Sequence, residues 1–225
     1  MAGSIEGRDA FLKTLTDKIG EPEFKPYEPI SDLPQREKAN LSKDELIALA
    51  KAQAATVSAN FVETTSAELN GVIAGIIEKA GGGQVMVPST DELDEFGVQV
   101  SGDPLVTWQK GADKRDENIT NAQNSNVAVA VAKFFLAESA TVVVETEAGQ
   151  GRSLHFLPTH YISVIPESRI VPRSTQAAEY FDKNKKPGTT LNFISGPSNS
   201  GDIEMQLVIG LHGPLEINYV VVRGI

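Results

Sequence analysis

Three short segments carry the residues whose chemical types could bind or transform a ligand. The first is LAESAT, where Glu138, Ser139 and Thr141 lie between two apolar stretches that are typical of strands. A carboxylate at Glu138 could act as a base, a nucleophile or a hydrogen-bond acceptor. The same segment also fits an ordinary hairpin turn with polar residues. Glu138 is therefore a candidate catalytic residue with a structural alternative.

The second segment, EAGQGRSLHFLPTH, combines glycines with an arginine and two of the three histidines of the chain. Gly149 and Gly151 permit close approach to the backbone, and Arg152 offers a fork of donors suited to a carboxylate or a phosphate. His155 is a second candidate catalytic residue. The alternative is a glycine loop with a surface arginine and a structural imidazole. Because His155 and His160 lack a carboxylate partner at ligand spacing, we predict no metal site.

The third segment, NFISGPSNSGDIE, passes from an apolar strand into small residues. We predict that a helix begins near residues 200–201, so that free backbone N–H groups and the helix dipole could attract an anion. The segment has neither the Walker ending nor the GxGxxG pattern, and an ordinary turn is the alternative. The candidate ligand-binding residues of this loop are Gly196, Ser198, Asn199 and Ser200.

Two acids and a histidine follow this loop. Asp202 and Glu204 favour a helix N-terminus, and they could fill the anion site themselves, orient Arg152 or bind a substrate hydroxyl. The apolar residues that come next fit either a strand or a helix face, and we expect a short helix first. His212 lies in the turn LHGP, where it is either catalytic or bonded to backbone. Asp202 and His212 are further catalytic candidates. We expect the loops around residues 138, 152 and 198 to meet at the mouth of one ligand-binding pocket.

The elements that position these loops indicate an α/β fold. A short amphipathic helix over residues 8–19 and a tether with four prolines form an N-terminal arm, residues 1–41. Its IEGR sequence resembles a protease recognition scar. The core domain, residues 42–225, begins at the capping box SKDE. Strands then alternate with helices, which predicts a mostly parallel sheet with flanking helices. Two strands around the AES break near residue 140 suggest some antiparallel pairing.

The composition excludes several classes of function. A net charge of −10 argues against a nucleic-acid surface. No stretch reaches the roughly 18 apolar residues that a membrane span needs, and the N-terminus lacks an apolar signal core, so we expect a cytoplasmic protein. The chain contains no cysteine. Disulfides, thiol nucleophiles and cysteine-held iron–sulfur clusters are thereby excluded.

The segments LAESATVVVE, GRSLHFLPTHYISVIP and NFISGPSNSGDIEMQLVIGLHGPLEINYVVV together resemble the lactate utilization protein C family, which carries the LUD domain. The resemblance spans most of the core and includes the N-terminal RDAFLKTLTDKIG. It implies a single LUD domain related to the ribose-5-phosphate isomerase and CoA-transferase group of folds. The family usually has glycine where this chain has Ala140, and the added Cβ could narrow the loop or change its φ.

The resemblance also implies a function. The chain would be a component of a cytoplasmic bacterial system that oxidises L-lactate to pyruvate, acting with two iron–sulfur partner proteins. In this interpretation it carries no cofactor of its own and binds a small anionic metabolite: lactate, pyruvate or a phosphate-containing ligand. Whether it performs a chemical step stays open. The alternative is a stand-alone enzyme of the CoA-transferase or isomerase type, with Glu138 as nucleophile or base. The arm is expected to pack on a neighbouring subunit or on a partner protein, so a homo-oligomer is a further expectation.

Overall fold

The computed structural model describes residues 6–20, 23, 26, 28, 30–184, 186–203 and 206–225. The chain divides into two compact units, Met1–Leu33 and Pro34–Ile225. In the first unit, helix α1 spans Arg8–Ile19 and ends at Gly20, which confirms the predicted N-terminal helix. None of its residues is buried, and Phe11 is 68% exposed.

The other elements follow in chain order. The helices are α2 (Leu33–Arg36), α3 (Lys43–Thr56), α4 (Leu69–Lys79), α5 (Glu92–Glu95), α6 (Arg115–Asn124), α7 (Ser153–Phe156) and α8 (Ser174–Asn184). The strands are β1 (Asn60–Thr65), β2 (Val85–Val87), β3 (Leu105–Thr107), β4 (Val127–Val131), β5 (Phe134–Leu136), β6 (Thr141–Thr146), β7 (His160–Pro166), β8 (Ile170–Val171), β9 (Thr190–Ile194), β10 (Asn199–Ile203), β11 (Gln206–Ile209) and β12 (Glu216–Arg223).

A six-stranded parallel sheet forms the centre of the second unit. Its strand order is β1-β12-β7-β4-β2-β3, and every neighbouring pair is parallel. The chain runs from β2 outward to the edge strand β3 and then returns to β4 on the other side of β2. The order in which the chain adds strands to the sheet therefore reverses between β2 and β4, although the two strands are parallel. The predicted α/β fold with a mostly parallel sheet is confirmed.

A second sheet of four strands, β8-β5-β6-β9, contains the antiparallel pairs β5–β6 and β6–β9. Two strands, β5 and β6, flank the AES break, and their predicted antiparallel pairing is confirmed; the prediction that the apolar stretch before the break is a single strand is wrong. The apolar run from Val127 makes three strands, because Ala132 and Lys133 carry the chain from the first sheet to the second. At the tight break, Ala140 has a φ of 48° and is fully buried. It therefore keeps the left-handed backbone that favours glycine.

The prediction of a helix after residue 200 is wrong. The chain forms a two-stranded antiparallel hairpin, β10–β11, in which Asn199 pairs with Ile209 and Ser200 with Val208. In the sequence, apolar residues recur at every second position from Ile203 to Leu211, which is the period of a strand, and strand pairing prevailed over the helical alternative. Asp202 lies within β10, whereas Glu204 lies outside the described residues.

The core has layers because strand residues alternate between faces. On β4, Ala128 and Ala130 face a cluster shared with α3 and the four-stranded sheet, while Val127 and Val129 face a cluster with α4. A third cluster packs α8 against the outer face of the four-stranded sheet. Helix α3 begins at the predicted capping box, in which Ser42 and Glu45 bond each other's backbone N–H. No helix of the described residues is long and apolar enough to span a membrane.

Candidate functional site

A large cavity lies beside α6 and α7 and has a volume of about 990 Å³. Apolar side chains, several hydrogen-bonding groups and two guanidinium groups contribute to its wall, a combination typical of small-molecule sites. The lining residues used below are Trp108, Arg115, Asn118, Glu147, Arg152, Ser153, Phe156, Asn192 and His212.

Helix α7 fixes the position of Arg152. The helix has only four residues, but Leu154 and His155 on it are fully buried. These two side chains anchor the helix in the core, while Arg152, Ser153 and Phe156 line the cavity. The Arg152 backbone is already helical, so the guanidinium projects from a fixed base.

The charges of the cavity favour an anionic ligand. Its charged lining residues are Arg115, Arg152 and Glu147. Arg115 is paired with Asp116 at 2.7 Å, whereas the guanidinium of Arg152 makes no hydrogen bond or ion pair with any described residue. A guanidinium without a partner carries five N–H donors, enough to bind a carboxylate through two parallel hydrogen bonds.

Asn192 supplies a second donor to the same cavity. Its Nδ2 atom is buried and has no hydrogen-bond partner among the described residues. Leaving a buried donor unsatisfied costs about 1–3 kcal/mol, so such a group in a cavity wall is suited to a ligand acceptor. The neighbouring Asn118 is different, because it bonds the backbone of Gln109 in both directions at 2.8 Å. Asn118 therefore shapes the wall, and Asn192 has capacity for a ligand.

The glycines before α7 leave room for other residues of the protein and not for a ligand. A Cβ on Gly151 would lie 2.1 Å from the ring of Trp108, and a Cβ on Gly149 would lie 3.1 Å from the Ser89 carbonyl O. We predicted close backbone approach at both positions and expected a ligand to benefit from it. The partner of Gly151 is instead an indole that forms part of the cavity wall.

The loop of residues 196–201 is not an open anion cradle. The Gly196 N–H donates to the Tyr219 hydroxyl at 2.8 Å, and the Ser198 N–H donates to the Pro214 carbonyl at 3.0 Å. With these donors occupied, and with Asn199 and Ser200 in strand β10, the loop has no helix N-terminus to offer. This corrects the predicted cradle of Gly196, Ser198, Asn199 and Ser200.

The local structure explains why residue 196 is a glycine. Its φ is 68°, and a Cβ on it would lie 1.9 Å from the carbonyl O of Val57. Ser198 holds the next loop, because the His212 N–H donates to its hydroxyl at 3.4 Å. Ser198 therefore helps to position His212, whose exposed side chain lines the Arg152 cavity.

Glu138 lies in a cluster of charges outside this cavity. One carboxylate oxygen accepts from Lys38 Nζ at 2.9 Å and the other from Arg173 Nε at 2.6 Å. The hydrogen bond from Lys38, joined by that from Arg173, lowers the pKa of Glu138 against the opposing effect of burial. A carboxylate with a lowered pKa and both oxygens engaged is a poor base and a poor nucleophile.

The two histidines of the second segment lie in different surroundings. His155 is completely buried, and its Nδ1 lies 2.9 Å from the Tyr161 hydroxyl. Burial lowers the pKa of His155 to about 3, so its imidazole is neutral at physiological pH. Burial also lowers the pKa of His160, which begins β7 beside Glu216. His155 is thereby placed in the core and not in the cavity.

The predicted meeting of the loops around residues 138, 152 and 198 at one mouth is not observed: the described lining residues include Arg152 but neither Glu138 nor Ser198. The candidate that shares the cavity with Arg152 is His212, whereas His155 lies in the core. Sequence reasoning missed Trp108 and Asn192. Trp108 is the only tryptophan of the chain and directly follows a strand, which is a usable signal. A weaker signal was available for Asn192, the one polar residue in the apolar run LNFI. No group of three histidine or acidic residues among those described could hold a metal ion.

Comparison with known proteins gives three findings. The family model described as the LUD domain matches residues 47–222. Curated proteins named lactate utilization protein C are similar over nearly the full chain: the one from Geobacillus thermodenitrificans is 36% identical, and the one from Bacillus subtilis is 32% identical, each with 98% of both chains covered. The crystal structure of a DUF162 family protein from Deinococcus radiodurans has the same fold, with a TM-score of 0.61 and 22% identity over 81% of this chain and 99% of that chain.

Proposed function

The chain belongs to the LUD domain family, and from this premise we propose that it is a component of a lactate-utilization system whose Arg152 cavity binds a small carboxylate. The relatives named lactate utilization protein C support the role in lactate use. The cavity supports the ligand class, because its unpaired guanidinium and its buried amide donor suit a carboxylate.

The observation that carries the ligand class is Arg152. Among the described residues it has no partner, although the chain carries a net charge of −10 and most other arginines lie beside an acid. A carboxylate ligand would fill the place that an acidic side chain fills elsewhere. Lactate and pyruvate each have one carboxylate and a short apolar end, which matches the apolar side chains of Trp108 and Phe156.

The proposed system divides the chemistry between proteins. Oxidation of L-lactate to pyruvate releases two electrons and two protons, and the electrons need an acceptor. This chain contains no cysteine to hold an iron–sulfur cluster. We assign the electron transfer to two iron–sulfur partner proteins in the cytoplasm, and to this chain the role of a non-redox ligand-binding or assembly subunit.

The fluorescence of Trp108 tests the ligand directly, since it is the only tryptophan and lies in the cavity wall. Titration with L-lactate or pyruvate should change its emission in a saturable way. The variant Arg152→Met should weaken binding by about 10- to 100-fold, the loss expected for a hydrogen bond to a charged group. Arg8→Met is the matched control, because Arg8 is exposed and paired with its neighbour Asp9.

Two results would overturn the ligand assignment: no saturable change with either acid, or equal affinities of Arg152→Met and the control. The partner assignment has its own experiment. Affinity capture of the tagged protein from its native host grown on L-lactate should recover two iron–sulfur proteins. Recovery of neither, together with normal growth on L-lactate after deletion of the gene, would refute the role in lactate oxidation.

A further inference from the structure

A second cavity, of about 470 Å³, opens at the carboxyl ends of the parallel strands. Its wall takes residues from the segments that leave four different strands. Ser89 and Thr90 follow β2, Lys110 follows β3, Lys133 follows β4 and Arg169 follows β7. We call it the switch-point cavity, because the order in which strands are added to the sheet reverses between β2 and β4.

This location has a physical meaning in parallel sheets. At the reversal, the segments after two adjacent strands leave in opposite directions and open a crevice between them, which is where ligands of open α/β sheets bind. Of the three candidate sequence segments, only the second contributes to the wall of this cavity, through Glu147, Ala148 and Gly149. The Arg152 cavity lies beside α6 and α7, and the turn of Glu147 and Ala148 borders both cavities.

One side of the switch-point cavity is held rigid. Arg169 donates to the Glu92 carboxylate at 2.8 Å and to the Ala132 carbonyl at 2.7 Å. Its guanidinium also lies 4.6 Å from the centre of the Phe96 ring. These contacts join α5 to the end of β4. Arg169 and Glu92 satisfy each other, so they shape the cavity and have little left for a ligand.

The other described charged side chains of the cavity form no ion pair with each other. Within the described part of the chain, Lys110 and Lys133 form no ion pair, and Asp91, Glu95 and Glu147 have no side-chain hydrogen bond. Lys133 Nζ instead lies 5.8 Å from the centre of the Tyr180 ring. Lysines and carboxylates that share one wall without pairing can bind complementary groups of a ligand.

A buried hydroxyl adds to these charges. The Oγ1 atom of Thr90 is buried and has no hydrogen-bond partner among the described residues. Its neighbour Ser89 is held against the turn before α7, because its N–H donates to the Gly149 carbonyl at 2.9 Å. Thr90 is therefore fixed with an unused donor and acceptor in a polar cavity wall.

We propose that the switch-point cavity is a second binding site, which takes a polyhydroxylated molecule with one anionic group. The lysines bind the anion, while the free carboxylates and the Thr90 hydroxyl bind the ligand hydroxyls. The lining includes three cations and four carboxylates, so a ligand with several anionic groups is disfavoured. The carboxylates do not form a metal site, since no group of three such ligands exists among the described residues.

Calorimetric titration of the full chain with four probes tests this site. D-Gluconate and sorbitol 6-phosphate carry the two anionic groups that fit, sorbitol is the neutral polyol, and hexanoate is an anion without hydroxyls. At least one of the two anionic polyols should bind ten or more times tighter than both sorbitol and hexanoate. A preference for gluconate or for sorbitol 6-phosphate identifies the anionic group as carboxylate or phosphate.

Variants locate the binding. Lys133→Met should weaken the preferred probe at least tenfold, and the exposed Glu95→Ala should weaken it severalfold without a risk to folding. Arg152→Met should leave it unchanged within twofold, so failure here is distinct from failure of the lactate assignment. The proposal is overturned if neither anionic polyol exceeds sorbitol and hexanoate, if both Lys133→Met and Glu95→Ala bind as the parent does, or if Arg152→Met causes the same loss.

Discussion

Replacement of Gly196 by alanine should destabilise the protein strongly. The residue has a left-handed φ of 68°, and a Cβ on it would lie 1.9 Å from the carbonyl O of Val57. Its N–H also donates to the Tyr219 hydroxyl at 2.8 Å, so the segment cannot move away without breaking that bond. The obstacle is backbone, and no side-chain rotation relieves it.

The magnitude follows from these contacts. A left-handed conformation costs a residue other than glycine about 1–2 kcal/mol, and an overpacked contact adds about 1–3 kcal/mol. Alanine loses less backbone entropy on folding, which returns about 0.4–1 kcal/mol. We expect the free energy of unfolding to fall by about 2–4 kcal/mol, which for a chain of this size lowers Tm by roughly 4–16 °C.

Urea denaturation of Gly196→Ala beside Gly201→Ala measures this effect. Gly201 lies in the same segment, but no described heavy atom lies within 4 Å of its added Cβ, and its φ is not left-handed. The control should change the free energy of unfolding by no more than about 0.5 kcal/mol. The structural account of this loop is refuted if Gly196→Ala loses less than about 1 kcal/mol relative to Gly201→Ala, a result that would return the loop to a ligand-binding role.

Two further variants test the buried histidine and the ion-paired carboxylate. Burial lowers the pKa of His155 from 6.5 to about 3, so the unfolded chain binds the extra proton and stability falls with pH below 6.5. Between pH 7 and pH 5 the parent should lose about 2 kcal/mol relative to His155→Gln in urea unfolding; parallel pH profiles would contradict a neutral buried imidazole. Glu138→Gln should lose about 1 kcal/mol at pH 7 by removing the partner of Lys38 and Arg173. Because the pKa of Glu138 is lowered, this stabilisation is present above 4.5 and is lost as the pH falls further, and a difference that persists at pH 3 would disprove it. Loss of a CoA-ester-induced thermal shift in Glu138→Gln would instead support the transferase-type enzyme.

Local patterns predicted most of the architecture. The capping box at Ser42 and the apolar periodicity of α1 and α3 depend on neighbours in sequence, and these elements formed as expected. The patterns failed where tertiary pairing decided the outcome. The apolar residues from 203 to 211 fit a helix face as well as a strand, and a hairpin formed in which Asn199 pairs with Ile209.

The candidate site was harder to predict than the fold. Arg152 and His212 both line the cavity, and their roles in ligand binding and catalysis stay predictions. Glu138 was placed in the same cavity, since the sequence does not show that Lys38 and Arg173 bind it. These partners are 100 and 35 residues away. No periodicity or spacing reveals contacts at that separation.

The placement of β12 has a consequence for how the chain is made. Asn60 on β1 and Asn218 on β12 are register partners 158 residues apart in sequence, and β12 is the strand that joins β1 to the rest of the parallel sheet. At a synthesis rate of roughly 5–20 residues per second, the edge of β1 that bonds β12 stays unpaired for about 8–30 seconds while the ribosome makes the residues in between. During that interval the nascent chain presents an unfinished hydrogen-bonding edge, which makes it a natural client for chaperones.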